Sequence, residues 1–419
     1  MNKKNYQAKI KSDLKISFYN DFIEWDVFYF DEIFSFIQTN NFTRSSMNNI
    51  KGNVKNIHYG DIIVKYNTIL EELSVLPYIN DGIDITKYKK NAYVKNGDII
   101  IADTAEDYTA GKAIELKNVT SKVLSGLHTF LCRPKIKIAP MYLGYYLNSN
   151  QYHNQLIKLL TGVKVYSISK TNIVKTLIAL PKSYEEQEKI AECLKSIDDL
   201  ILQEEDKLEK LKSHKMGLLR KLLPEQDKNF PVLRFPKFKN SKGWINKKLG
   251  TLCEIETGKL DANAMVQNGK YHFYTCAKEY YLIDKYAYDT EALLISGNGA
   301  HVGYIHYHKG KFNAYQRTYI LKNFNKNIFY IKVFLEKNLK QRINTEKNEG
   351  NTPYIRLNTL SDMEIIYPVQ NEEQKKIAEC LSSIDDLISA QTEKIETLTQ
   401  HKKGLLQGLF PSIKEVENE

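Results

Sequence analysis

Residues 181–224 and 368–411 match without a gap at a constant offset of 187, with 26 of 44 positions identical. The first copy reads EEQEKIAECLKSIDDLI where the second reads EEQKKIAECLSSIDDLI, and both continue into a His-Lys-x-Gly-Leu-Leu stretch at 214–219 and 401–406. Prolines bracket both copies: Pro181 and Pro224, then Pro368 and Pro411. Two near-identical segments separated by long dissimilar ones rule out a single continuous core. They make the chain a tandem duplication of one unit, ordered globule, helix, globule, helix.

Each copy carries the periodicity of a coiled-coil helix. Ile190, Leu194, Ile197, Ile201, Leu208, Leu211, Leu218 and Leu222 fall on a 4-3 spacing, and Ile377, Leu381, Ile384, Ile388, Ile395, Leu398, Leu405 and Leu409 repeat it. The seam is interrupted at matching places, Glu204 and Lys215 in one copy, Gln391 and Lys402 in the other. Shared interruptions call for shared environments, and packing the two helices against each other supplies them. Gly217 and Gly404, each costing a helix about 1 kcal/mol against alanine, predict close packing or a bend there. A helix of 38 residues from Glu185 is about 57 Å long. On such a helix the carboxylates of Asp198-Asp199 and Asp385-Asp386 point about 100° apart, so a solvated or partner-facing surface is expected rather than an acid/base pair. Cys193 and Cys380 lie beside the seam and are expected to pack as small apolar residues.

Charge divides with the repeat. Residues 1–180 hold 23 Lys/Arg against 16 Asp/Glu, and residues 225–367 hold 22 against 14, whereas the helical copies are mildly acidic. The net charge of +10 therefore belongs to the two globules. Concentrated basic charge suits a polyanion, since each neutralised phosphate releases condensed counterions. Five scattered cysteines without metal-site spacing fit a reduced, cytoplasmic protein, and no apolar run approaches the length of a membrane span.

The duplication continues more faintly into the globules. Trp25 and Trp244 stand at matching places; SGLHTFLCRP at 125–134 answers AYQRTYILKN at 314–323. GVKVYSISKTNIVKTLIALP answers GNTPYIRLNTLSDMEIIYP before the closing prolines. From tryptophan to that proline is 156 residues in the first globule and 124 in the second.

The P-x-L-R-F-x-x-F opening at 231–238 with Trp244, the two P-x-x-x-x-E-Q-x-K-I-A blocks and the two S-I-D-D-L-I blocks resemble the DNA specificity subunits of type I restriction–modification systems. The resemblance covers the whole chain, although the first opening has decayed to Leu14-Lys15-Ile16-Ser17-Phe18. It implies an α+β chain: two mixed α/β target recognition domains, separated and followed by two long helices paired as an antiparallel coiled coil. The divisions expected are 1–180 and 225–367 for the recognition domains, and 181–224 and 368–419 for the helical spacers. It further implies a non-catalytic reader of a two-part, asymmetric target in double-stranded DNA, with one recognition domain per half-site. The expected partners are adenine methyltransferase subunits, two of them, and restriction/translocase subunits. S-adenosylmethionine, ATP and Mg belong to those partners, and no cofactor to this chain.

Candidate DNA contacts come from polar loops that carry basic residues. In the first globule they are Arg44 in loop 40–49, the cluster Lys87, Lys89 and Lys90, Lys112, His128, and Lys164, Tyr166 and Lys170 in 164–170. In the second they are Lys259 and Asn263 in 257–265, Asn298 and His301 in the glycine loop 296–303, His308, Lys309, Lys311, Gln316 and Arg317. Asn and Gln suit adenine, Arg and Lys suit guanine or phosphate. The glycine loop has GxGxxxG spacing without a surrounding βαβ unit, which argues against dinucleotide binding; loop 103–111 is its expected counterpart. His306 and His308 alternate on a strand with no third metal ligand near. The competing reading of each candidate is ordinary solvated surface.

No Walker A loop, adenine methyltransferase Asn-Pro-Pro motif or nuclease carboxylate–lysine cluster occurs in the chain. A coiled-coil scaffold whose basic globules bind RNA or protein explains the heptads but not where the charge lies.

Overall fold

The computed structural model describes residues 24–225, 228–241, 243–346 and 354–413. The chain forms two compact units, and both long helices are divided between them. One unit holds the described residues up to Glu204 together with those from Lys394 onward; the other holds Glu205–Glu393. Each globule therefore folds with the near part of one helix and the far part of the other.

In the first unit, β1 (Trp25–Tyr29) pairs antiparallel with β7 (Leu177–Pro181), setting Trp25 opposite Pro181. Between them lie β2 (Phe34–Ile37), β3 (Ile69–Leu70), β4 (Ile99–Ala102), β5 (Ala113–Leu116) and β6 (Thr129–Pro134), in the sheet order β2-β6-β4-β5-β3. Only the β5–β3 pairing is parallel. Helices α1 (Tyr142–Leu147) and α2 (Asn150–Ile157) join the core on this sheet. From Tyr184–Leu222 the chain runs as α3, whose Ile190, Ala191 and Leu194 enter the same core.

The second unit repeats this plan. β8 (Trp244–Lys248) pairs with β15 (Glu364–Pro368), Trp244 opposite Pro368. The sheet runs β9-β14-β12-β13-β10-β11, from β9 (Glu254–Thr257), β10 (Tyr271–Tyr274), β11 (Tyr281–Ile283), β12 (Tyr288–Ser296), β13 (Ile305–Ala314) and β14 (Thr318–Lys322). Here β10 runs parallel to β13, as β3 does to β5. Helix α4 (Ile328–Thr345) backs the sheet, and α5 (Asn371–Leu409) contributes Ile377, Ala378 and Leu381 to its core.

The first domain's extra length includes a second small sheet, with Val123–Ser125, Lys55–Ile57, Tyr78–Ile79 and Met47–Asn48 in that order. Its own core of Val54, Ile79, Tyr88, Ala92 and Leu124 has no counterpart among the described strands of the second domain.

The repeated Glu-Glu-Gln block has a structural reason. Buried Gln187 donates to the Pro181 carbonyl (2.9 Å) and accepts from the Ala139 N–H (3.0 Å); buried Gln374 does the same with Pro368 (2.9 Å) and Asn327 (3.0 Å). One side chain thus fastens the start of a long helix to the strand before it and to the domain beneath it. Beside it, buried Glu373 accepts from Arg234 Nε and Nη2, each at 2.7 Å, which accounts for the Leu-Arg-Phe opening. Residues 14–18 lie outside the described residues.

The 4-3 positions are the shielded ones along both helices, as the seam predicts. In the first unit Lys402 reaches Asp198 (2.5 Å) and Lys394 reaches Glu204 (2.6 Å); in the second, Lys215 reaches Asp385 (2.5 Å). In the first unit rising numbers on α3 thus meet falling numbers on α5. In the second the end of α3 (Leu219, Leu222) shares a core with the start of α5 (Ile377, Leu381), so the helices are antiparallel within each unit. Two expectations are corrected here. Asp198 and Asp385 hold seam lysines rather than lying on a solvated face, and Asp198 also accepts from the Tyr145 hydroxyl (2.9 Å). A methyl group added at Gly217 or Gly404 would meet nothing within 4 Å, so neither glycine marks close packing, and both helices run 39 residues unbroken. Of the two cysteines, Cys380 packs partly buried against the second unit's core as expected, whereas Cys193 is exposed in the first.

Candidate nucleic-acid interface

Each domain has a cleft at the same corner of its sheet. The first, about 580 Å³, lies where β2 ends and β6 begins, lined by residues 36–41, 87–88, 103, 127–130 and 170. The second, about 340 Å³, is lined by Thr257, Gly297, Asn298, Gln316, Arg317, Tyr319, Tyr354 and Ile355, where β9 ends and β14 begins. Ladder register makes these corners equivalent: Thr129 faces Ala102, and Thr318 faces Ser296. The loops after those strands close alike, for the Gly111 N–H donates to Ala102 and the Gly303 N–H to Ser296, both at 2.8 Å. Both glycines hold a left-handed φ (+95° and +82°), which a side chain rarely adopts. Loop 103–111 is therefore the counterpart of 296–303.

The first cleft gathers three of the candidate residues. Lys87 stands on its rim; Lys170, opening a short helix capped by Ser169, lies over the Phe36 ring at 4.2 Å. His128 has a left-handed φ of +54°, its Nδ1 3.2 Å from Asp103 and its ring 5.3 Å from that of Tyr59. The second cleft gathers Asn298, Gln316 and Arg317. Gln316 donates to Asp261 (3.0 Å) on the loop that carries Asn263 and Lys259, both exposed.

The remaining candidates stand elsewhere. Arg44 binds buried Asp61 with both guanidinium arms (2.9 and 3.2 Å). Lys112 donates to the Ile63 carbonyl (3.0 Å), and burial, with Lys402 nearby, holds its ammonium below the usual lysine range. His308 sits among rings, bonded to the Tyr274 hydroxyl (3.0 Å), and burial pushes its pKa down. Lys311 covers the Tyr286 ring at 4.7 Å. Lys89, Lys90, Lys164, His301 and Lys309 are exposed, and the Tyr166 ring lies tilted against that of Tyr108, 4.5 Å between centroids. Sequence reasoning missed Asp103, Tyr319 and Tyr354 as individual cleft residues, and reached Asn40 only as the first residue of loop 40–49. The glycine-loop comparison pointed at Asp103; nothing local in the sequence marks the two tyrosines.

A family model described as the type I restriction modification DNA specificity domain matches this chain twice, at residues 23–213 and 241–400. The chain belongs to that family. Each specificity-domain match takes in one globule and most of the long helix after it, so the family's unit is the repeat found in the sequence. The type I restriction enzyme EcoDI specificity subunit of Escherichia coli is 36% identical over 168 residues. That alignment takes in 40% of this chain and 37% of the relative, little more than a third of its length. By fold, the chain is similar to the S subunit of a type I restriction–modification system from M. genitalium (TM-score 0.62, 16% identity, 96% and 99% of the two chains). It is also similar to a chain from a study of assembly and conformational transition of the type I R-M system (TM-score 0.55, 15% identity, 93% and 98%).

Proposed function

We propose that this chain is the DNA-reading subunit of a type I restriction–modification complex, with each domain reading one half of a two-part target. The observation that carries this reading is the repeated cleft: one corner of one sheet, built twice, lined by different polar and basic side chains. A shared frame with unlike linings suits two unlike half-sites, so the target is asymmetric. The net positive charge of both globules supplies the sequence-independent attraction to the duplex. The long helices serve as the ruler. At 39 residues each is about 58 Å, equal to roughly 17 base pairs of B-DNA.

The chain itself is non-catalytic in this reading. Methylation and cleavage belong to partner subunits that supply S-adenosylmethionine, ATP and Mg chemistry. Two equivalent docking faces support two methyltransferase subunits. Glu192, Ser196 and Leu200 on α3 recur as Glu379, Ser383 and Leu387 on α5, all exposed, with the leucines at 37% and 55%. Exposed neighbours such as Leu202 and Gln203 change to Ser389 and Ala390. An exposed leucine kept in both copies beside variable positions fits a surface that meets the same partner twice.

Methylation profiling of cells with and without this gene tests the proposal. A two-part motif with unlike halves is expected to disappear on deletion; an unchanged methylation pattern would overturn the reading.

A further inference from the structure

One backbone node is built twice, and the side chain standing on it differs between the copies. In the first domain the Asp103 N–H donates to the His128 carbonyl (3.1 Å), and the Ile168 N–H donates to the Asp103 carbonyl (2.8 Å). In the second, the Gly297 N–H donates to the Arg317 carbonyl (2.9 Å), and the Ile355 N–H donates to the Gly297 carbonyl (2.7 Å). His128 and Arg317 each precede the threonine that opens the strand next to the sheet edge, Thr129 on β6 or Thr318 on β14. They occupy one position of the fold, on the rims of the two clefts.

At both places the backbone is held and the tip is presented. Arg317 is exposed, and no described residue hydrogen-bonds or ion-pairs with its guanidinium. Gly297 lets the loop close on it, since a methyl group there would stand 2.3 Å from the Arg317 carbonyl oxygen. His128 keeps a left-handed backbone that costs a non-glycine residue about 1 kcal/mol or more, the kind of strain found at working sites. Asp103 holds its Nδ1, which leaves Nε2 as the outward polar atom.

We propose that His128 and Arg317 are the matching specificity-determining residues of the two domains, with Arg317 selecting guanine in its half-site. The assignment rests on the DNA-reading function proposed above. A guanidinium meets guanine O6 and N7 with two parallel donors, a match that no other base edge offers. His128 offers one atom rather than a fork, so it cannot make that two-donor contact at the matching place. Asp103 is a positioning residue that fixes the imidazole.

The experiment is methylation-motif profiling of cells carrying the wild-type chain, Arg317→Lys, Arg317→Gln or His128→Ala with all partner subunits. Circular dichroism of each purified variant checks its fold. Both Arg317 variants are expected to relax one guanine of one half-site and leave the spacer and other half unchanged; His128→Ala relaxes only the other half. Affinity of the Arg317→Lys complex for a wild-type-site duplex should fall about tenfold or more, because lysine keeps the charge but not the fork. An unchanged motif with a folded variant overturns the assignment. So does an equal loss on all sequences, the mark of a phosphate contact. If the wild-type cells show no two-part motif, the DNA-reading function falls, and this assignment with it.

Discussion

The Lys402 ammonium lies 2.5 Å from the Asp198 carboxylate, and the same two repeat positions, with helices exchanged, join Lys215 to Asp385 at 2.5 Å. Asp198 and Asp385 are 187 residues apart, as are Lys215 and Lys402. The duplication has therefore kept a pair that closes only when the two copies run antiparallel. All four side chains are largely shielded, so losing one partner leaves a poorly solvated charge. Asp198→Lys should lower the stability of the first unit by about 1–3 kcal/mol, and adding Lys402→Asp should recover much of it. Thermal denaturation of the single and double variants measures this; equal losses without recovery would deny the pairing.

The clamping glutamines should act unit by unit. Gln187→Ala leaves the Ala139 N–H and the Pro181 carbonyl without partners in a buried place, and Gln374→Ala does so for Asn327 and Pro368. Each substitution should cost about 1–3 kcal/mol. Hydrogen exchange should show the loosening at β7 for the first variant and at β15 for the second.

Glu115 gives the first unit a pH dependence. Its carboxyl is buried and caps α1 by accepting from the Met141 N–H (2.5 Å) and the Gly144 N–H (2.9 Å). Burial outweighs those bonds and pushes its pKa up to about 7. Between its unfolded value of 4.5 and about 7 the folded chain holds the proton and the unfolded chain does not. Its contribution to stability is thus full below about pH 4.5 and declines as pH rises through 7. Glu115→Gln should flatten that part of the curve of melting temperature against pH.

Gly217→Ala and Gly404→Ala should each stabilise the chain, by about 0.5–1 kcal/mol. Each glycine lies in a continuous helix with open space where the methyl group would go. A rise in melting temperature of a few degrees checks this; a fall would mean the positions are packed.

The seam, its matching interruptions and the Trp25–Pro181 and Trp244–Pro368 frames were legible because repeats and periodicity are local properties of a sequence. What fills the interruptions was not. That Lys402 meets Asp198 depends on an antiparallel register between helices some two hundred residues apart, and periodicity says nothing about register. The strands opened by Thr129 and Thr318 were visible in the sequence, which aligned His128 with Arg317. Tyr319 and Tyr354 escaped notice because they reach the second cleft through long-range closure. The small sheet at 47–125 was hidden too, since strands of two or three residues show no alternation.

Lengthening the ruler tests the account at its centre. Seven residues inserted after Gln203, matched by seven after Glu396, keep the 4-3 seam in phase and add about 10.5 Å to each helix. Methylation profiling of cells carrying that chain should then return the same two half-sites with a spacer longer by about three base pairs. An unaltered spacer, or half-sites that change while the spacer stays, would contradict two readers held apart by paired helices.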